Sequence, residues 1–135
     1  MKRLFYLMIA GLFVFNSCDI DSNPLPKISD DRNKFEGTWI CTDESVVFGT
    51  STFTVNINIV GASDTVEIKN WYNLGVGTTT LGLVADNSIT IPNQTVSGFA
   101  IFGSGFYSSN DEEIVISYSA DDGSTQDQVV STCTQ

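Results

Sequence analysis

The chain has 135 residues, with 6 Lys plus Arg against 16 Asp plus Glu, no histidine, and a formal net charge of −10. That length suits one domain, since most domains run to roughly 100–200 residues. Without histidine there is no Ser-His-Asp or Cys-His catalysis and no His-ligated zinc or haem. So few cations also argue against nucleic acid, whose phosphates are held through Lys and Arg.

Residues 1–17 read as an address rather than as structure. Lys2 and Arg3 precede an uncharged apolar run from Leu4 to Phe15, followed by small or polar residues and Cys18, which is the layout of a secretory signal. The run is shorter than the roughly 20 residues a helix needs to cross the hydrocarbon core, so no permanent transmembrane helix is expected. Cys18, with Ser17 before it, resembles the acylated cysteine of a bacterial lipoprotein signal. The resemblance implies a lipid anchor at Cys18, palmitate included, that partners the chain with the membrane. It places the protein in the cell envelope, at the outer membrane or the cell surface. Ordinary signal cleavage that leaves Cys18 as a thiol is the alternative. Removal of the signal takes away two of the six cations and none of the 16 acids. Residues 18–34 hold Pro24 and Pro26 and little apolar material, and read as an acidic flexible tether. Asp19, Asp21 and Asn23 imitate the opening of a calcium loop, but Pro24 stands where that loop requires glycine.

From Phe35 onward apolar residues recur with period two, and Gly, Asn, Asp and Ser clusters separate the runs. In chain order the predicted strands are GTWIC at 37–41, TFTVNINI at 52–59, the Val66 and Ile68 run, and GTTTLGLVA at 77–85. They continue with SITIP at 88–92, VSGFAIFGSGFYS at 96–108, EIVISYS at 113–119 and TQDQVVSTCTQ at 125–135. Asp86 and Asn87 alone separate two of these runs, a spacing suited to a tight hairpin because both residue types tolerate positive φ. No connection is long or periodic enough to be a crossover helix. The expected fold is all-β: an eight-stranded antiparallel up-and-down barrel over residues 35–135, with a two-sheet sandwich as the alternative.

Phe35-Glu36-Gly37-Thr38-Trp39 matches the F-x-G-x-W opening of lipocalin-like barrels. The similarity continues through IKNWYNLG at 68–75, ITIPNQ at 89–94 and ISYSADDG at 116–123. Together these segments resemble the small lipocalin-like, calycin-type lipoproteins of gut anaerobes, which implies a closed barrel with Trp39 at its base. If the barrel closes, its first and last strands are neighbours, and Cys41 and Cys133 are expected to form a disulfide in an oxidising compartment. Two reduced, buried cysteines are the alternative.

The side chains expected inside are Trp39, Phe53, Ile57, Ile68, Tyr72, Leu83, Ile91, Phe99, Ile101, Ile116 and Tyr118. They either pack the core or line a site for one small apolar ligand, since an eight-stranded barrel is only just wide enough for either. Strand 96–108 is apolar on both faces and Trp71 is out of phase with Ile68 and Tyr72. Trp71, Phe102 and Phe106 are therefore expected to form an exposed patch for a glycan, a peptide or an envelope protein. The alternative is cover by the tether, or a bulge marked by Gly98, Gly103 and Gly105.

The acid clusters Asp43-Glu44, Asp111-Glu112-Glu113 and Asp121-Asp122 lie among turn residues and read as solvated. No motif supports a metal site at Asp121, Asp122 and Asp127, and no cofactor is implied. Asp64-Thr65-Val66 resembles a three-residue O-glycosylation acceptor of surface proteins in the same anaerobes, which makes Thr65 a candidate site. The expected function is a non-catalytic binding or interaction module; the alternative is a carrier of a small apolar ligand.

Overall fold

The structure is a computed structural model that describes residues 30–135; Cys18 and the lipid anchor expected there lie outside the described residues. Eight strands follow one another: β1 (Gly37–Ser45), β2 (Gly49–Ile59), β3 (Thr65–Lys69), β4 (Thr79–Ala85), β5 (Ser88–Val96), β6 (Phe99–Ser108), β7 (Glu113–Asp121) and β8 (Gln126–Thr134). Each strand pairs antiparallel with the next, and β1 pairs with β8, so the sheet closes on itself in up-and-down order. All eight runs of period two became strands. The β1–β8 ladder, running from Ile40 opposite Thr134 to Ser45 opposite Val129, excludes the sandwich.

Closure brings Cys41 opposite Cys133, and the two form a disulfide that faces the core. The interior is filled along its length. Trp39, Phe53, Val55, Ile57, Ile68, Ile91, Ile101, Ile116 and Tyr118 are among the side chains buried there. Phe99 and Tyr72 are half-buried and pack against this core from one end.

The two ends of the barrel differ. At the lower end a 3-10 turn, Asp31–Lys34, packs across the base. Arg32 is buried there; it donates to the Asp30 carboxylate and to the carbonyls of Val60 (3.0 Å), Gly61 (3.3 Å) and Thr65 (3.2 Å). Phe35 and Trp39 lie above it, with the Trp39 Nε1–H donating to the Phe35 carbonyl at 2.8 Å. The packed domain therefore begins upstream of Phe35, because Asp30–Lys34, expected in the tether, cap the barrel. The upper end, called the mouth below, is formed by the β1–β2, β3–β4, β5–β6 and β7–β8 connections.

Two strand phases differ from expectation. In β4 the buried positions are Thr80 and Val84, with Gly82 between them, and Leu83, expected inside, is 38 % exposed beside an equally outward Leu81. Alternation alone leaves the inward set open, and the space decides it: a Cβ at Gly82 would stand 3.1 Å from both Ile89 and Val66, whose side chains already fill that layer. In β6 the alternation never flips. Phe99, Ile101, Gly103 and Gly105 face inward while Phe102 and Phe106 face out. Gly103 pairs with Tyr118 and Gly105 with Ile116, and a Cβ at either glycine would collide with the backbone and side chains of β7. Here glycine allows close approach of neighbouring strands. The bulge lies instead in β5, where Pro92 and Asn93 stand between the paired Ile91 and Gln94. Pro92 has no N–H for β4, and the Gln94 side-chain amide takes over, accepting from Leu81 N–H and donating to the Leu81 carbonyl at 2.8 Å each.

The Cys41–Cys133 bond closes a 92-residue separation, for which chain-entropy reasoning gives about 4–5 kcal/mol. Replacing both cysteines by alanine is expected to lower unfolding free energy by that order in urea titrations, leaving the strand content in far-ultraviolet circular dichroism unchanged at low denaturant.

Candidate functional site

Two surfaces of the barrel carry chemistry. The first is a groove of about 1050 Å³ on the outside of the wall, crossing β5 to β8 and reaching β1. The inward glycines of β6 let β7 lie close, and Gly103 is part of the groove's lining. Phe102 walls one side at 46 % exposure and Val130 the other, with Glu44 at the rim. Between them the groove presents the hydroxyls of Thr90, Ser104 and Ser117 and the amides of Asn93 and Gln128. Ser119 lies beneath and accepts from Gln126 Nε2 at 2.9 Å and Gln128 Nε2 at 3.2 Å, which orients those two amides. Phe106 stands farther along the same outer face of β6, 52 % exposed.

The second surface is the mouth. The inward row of β1 continues from Trp39 and Cys41 to Asp43, and that of β8 runs from Cys133 and Ser131 back to Val129 and Asp127. Both acids are buried, each 2 % exposed. Asp127 is fully engaged: Oδ2 accepts from Ser45 Oγ at 2.6 Å and Tyr72 OH at 2.8 Å, and Oδ1 from the Val47 N–H at 3.1 Å. Ser45 Oγ in turn accepts from the N–H of Phe48 at 2.7 Å, so the β1–β2 loop is built on this carboxylate. Asp43 is half-engaged. Tyr118 OH donates to its Oδ2 at 2.5 Å, while Oδ1 has no hydrogen-bond partner.

The β3–β4 loop covers this pair. Its 3-10 turn, Trp71–Asn73, puts Asn70, Tyr72 and Asn73 at φ of 63°, 55° and 55°. That backbone is tolerable for asparagine and unfavourable for tyrosine, and it persists only where surroundings enforce it. Tyr72 is held by Asp127 and by edge contacts with Phe99 and Tyr118, at ring-centre distances of 5.4 and 6.0 Å. Asn70 ties the loop down, donating to the Thr54 carbonyl at 2.8 Å and accepting from Gly75 N–H at 2.7 Å. Trp71 consequently points into the barrel, fully buried, with its ring 4.9 Å from that of Tyr118.

Burial pushes the Asp43 carboxyl above the ordinary carboxylate range, and the charge of Asp127 adds to this. The hydroxyls of Ser131 and Tyr118 oppose the shift; Ser131 acts from nearby while its hydroxyl contacts Cys133 Sγ at 3.5 Å. Burial and the neighbouring carboxylates hold the Tyr118 and Tyr72 phenols well above their usual value, so both serve as donors. Among the described residues no cation pairs with either buried acid: Arg32 pairs with Asp30, Lys34 with Asp31 and Lys69 with Glu67. No group of three or more His, Cys, Asp or Glu side chains among the described residues is placed to hold a metal ion.

Of the residues expected on an exposed patch, Phe102 and Phe106 are outside, and Trp71 is not with them but plugs the mouth. Thr65 is half-buried, outward in β3, and its hydroxyl accepts from Ser63 at 3.0 Å. Asp121 and Asp122 spend their side chains on the N–H groups of their own turn. Asp43, by contrast, lies in β1 and not in a turn, and its burial with Asp127 went unforeseen. The signal was there: counting by two from Trp39 and Cys41 reaches Asp43, and from Cys133 back reaches Asp127.

Fold and surfaces together define an all-β, eight-stranded antiparallel closed barrel, consistent with a calycin-like fold. Comparison with protein-family models, with curated proteins and with solved structures finds no match.

Because the folded chain favours the protonated form of Asp43, its contribution to stability is full below the ordinary carboxylate range and is lost as pH rises through the raised folded value. Asp43→Asn is therefore expected to raise stability near pH 7.5 by about 1–3 kcal/mol, the cost of an unsatisfied buried group. The gain should shrink below about pH 4, where the unfolded carboxyl is also protonated. Urea titrations of both proteins at the two pH values measure it.

Proposed function

We propose that this protein is a non-catalytic binding module of the cell envelope, anchored by lipid at Cys18, that holds a neutral glycan in the outer groove across β5–β8. One observation carries the reading: the barrel interior is filled by its own side chains, while the outer wall offers a large groove of mixed aromatic and hydroxyl character. A polyhydroxylated ligand needs an apolar face to stack on and neutral donors and acceptors beside it. Phe102 supplies the first, and Thr90, Asn93, Ser104, Ser117 and Gln128 supply the second. Val130 extends the apolar wall, and Glu44 is the one charged side chain of the lining.

The anchor fits this arrangement. Asp30–Lys34 lie at the lower end, opposite the mouth, where Arg32 ties them to the β2–β3 connection. Outer-membrane placement and O-glycosylation at Thr65 belong to the same reading. A carrier of apolar ligands in the interior has less in its favour, because Trp39 blocks one end and Trp71 the other.

The test is a titration of neutral β-glucan, mannan and xylan oligosaccharides into the full chain in detergent, followed by NMR. Saturable shifts at groove residues are expected for at least one of the three. Phe102→Ala should weaken that binding about tenfold, equivalent to about 1.4 kcal/mol, while changing stability by no more than about 0.5 kcal/mol, as an exposed side chain should. Absence of saccharide binding, or binding of a protein partner at Phe102 and Phe106 in its place, would refute the glycan assignment.

A further inference from the structure

The barrel closes around its full circuit, but the seam between β2 and β3 covers only the lower part of β2. β2 has eleven residues and β3 five, and only Asn56–Ile59 of β2 pair with β3. Above them, Gly49–Val55 pair with β1 on one side and, among the described residues, with no strand on the other. Successive residues of a strand turn their backbone groups to opposite neighbours. The Val60 N–H donates to the Thr65 carbonyl and the Thr54 carbonyl accepts from Asn70, so the even-numbered positions of this segment face the β3 side. Thr50 and Thr52 therefore direct both backbone groups into the gap, and Thr54 its N–H, with no backbone or side-chain partner among the described residues. Gly49–Thr52 are all exposed, Ser51 included although its phase is inward. Two hollows flank this edge. The outer one, about 640 Å³, is lined by Thr52, Thr54, Asn56, Lys69 and Val76. The inner one, about 300 Å³ at the mouth, is lined by Phe48, Ser51, Tyr72, Leu74 and Phe99. Asn73 belongs to both linings, so the gap between β2 and the β3–β4 loop opens into each.

We propose that the open edge of β2 binds an extended peptide segment of a partner protein, non-acidic and alternating apolar with small polar residues, which adds a short strand beside Thr50–Thr54. Unpaired donors and acceptors at strand spacing are matched by the backbone of another strand. The two hollows supply the selection, because alternate side chains of an added strand point to opposite faces. One set meets Phe48, Tyr72, Leu74 and Phe99 and is apolar; the other meets Thr52, Thr54 and Asn56 and is small and polar. Charge sets the sign. The chain carries −10 overall, and Lys69, the one cation of the outer lining, is paired with Glu67, so an acidic segment is repelled. The β3–β4 loop stands across the gap, with Val76 exposed on its wall, and admits a single chain in preference to the edge of a second barrel.

The experiment follows backbone amides of the full chain in detergent by NMR. Without peptide, the N–H groups of Thr50 and Thr52 are expected to exchange with solvent at least about tenfold faster than those of Ser51 and Phe53, which face β1. The probe acetyl-Lys-Thr-Val-Thr-Val-Thr-Lys-amide should bind saturably, slow the exchange of Thr50 and Thr52, and shift Phe48 and Tyr72. The same peptide with Glu in place of both Lys should bind at least about threefold more weakly. Two further peptides carry N-methyl groups, one on both valines and one on two threonines. The set whose N–H groups face β2 should lose about tenfold or more in affinity, and the other should stay within about threefold. Thr52→Pro deletes an N–H that the barrel leaves unpaired and should weaken binding with the strand content retained; the N-methyl comparison decides the matter on the parent chain if this variant does not fold. Phe102→Ala should leave peptide binding unchanged, which separates this edge from the groove. The proposal is overturned if Thr50 and Thr52 are already protected without peptide, as a second copy or another segment of the chain on the edge would make them. It is also overturned if the peptide does not saturate, if the Glu-flanked peptide binds equally well, or if the two N-methyl sets weaken binding alike.

Discussion

The pairing of β1 with β8 is the constraint on which the rest of this molecule depends. Seven of the eight ladders join strands adjacent in sequence and cost only a short loop each, whereas this one joins the two ends of the domain. The disulfide near one end of this ladder removes much of that entropy from the unfolded chain. Closure also leaves no strand unpaired along a whole side to template aggregation. Most importantly for chemistry, it fixes β1 against β8 in a register that places Asp43 opposite Ser131 and brings Asp127 beneath the β1–β2 loop.

The space inside a barrel of eight strands is small, and its filling explains features that look unrelated. Gly82 yields to Val66 and Ile89, and Gly103 and Gly105 yield to Tyr118 and Ile116. Of these glycines, Gly103 also lines the outer groove that has Phe102 at its side. At the mouth, Trp71 completes the filling, at the expense of an unfavourable backbone at Tyr72. The sizeable concave surfaces are thereby left on the outer wall and at the mouth.

Much of this was legible in the residues. Period two with short polar turns marked every strand, and cysteines in the first and last runs pointed to their pairing. Two things were not legible, for physical reasons. An alternating strand such as TTLGLVA has two candidate inner faces, and the larger side chains, Leu81 and Leu83, suggested the wrong one because the filling of that layer comes from neighbours distant in sequence. Likewise, the fate of Trp71 depended on left-handed backbone at Asn70, Tyr72 and Asn73, which aims its ring inward against the phase of β3. The buried acids were hidden by a sound rule, that carboxylates avoid cores. Asp43 and Asp127 depart from it at the mouth, where departures from such rules are expected to mark function.

The central claim is that this barrel is filled and binds on its outside. It is tested most directly by titrating a fluorescent fatty acid against the intrinsic emission of Trp39 and Trp71, which sit at opposite ends of the interior. No saturable energy transfer from either tryptophan is expected. Stoichiometric, saturable quenching of both would show a ligand lodged between them and would contradict the account.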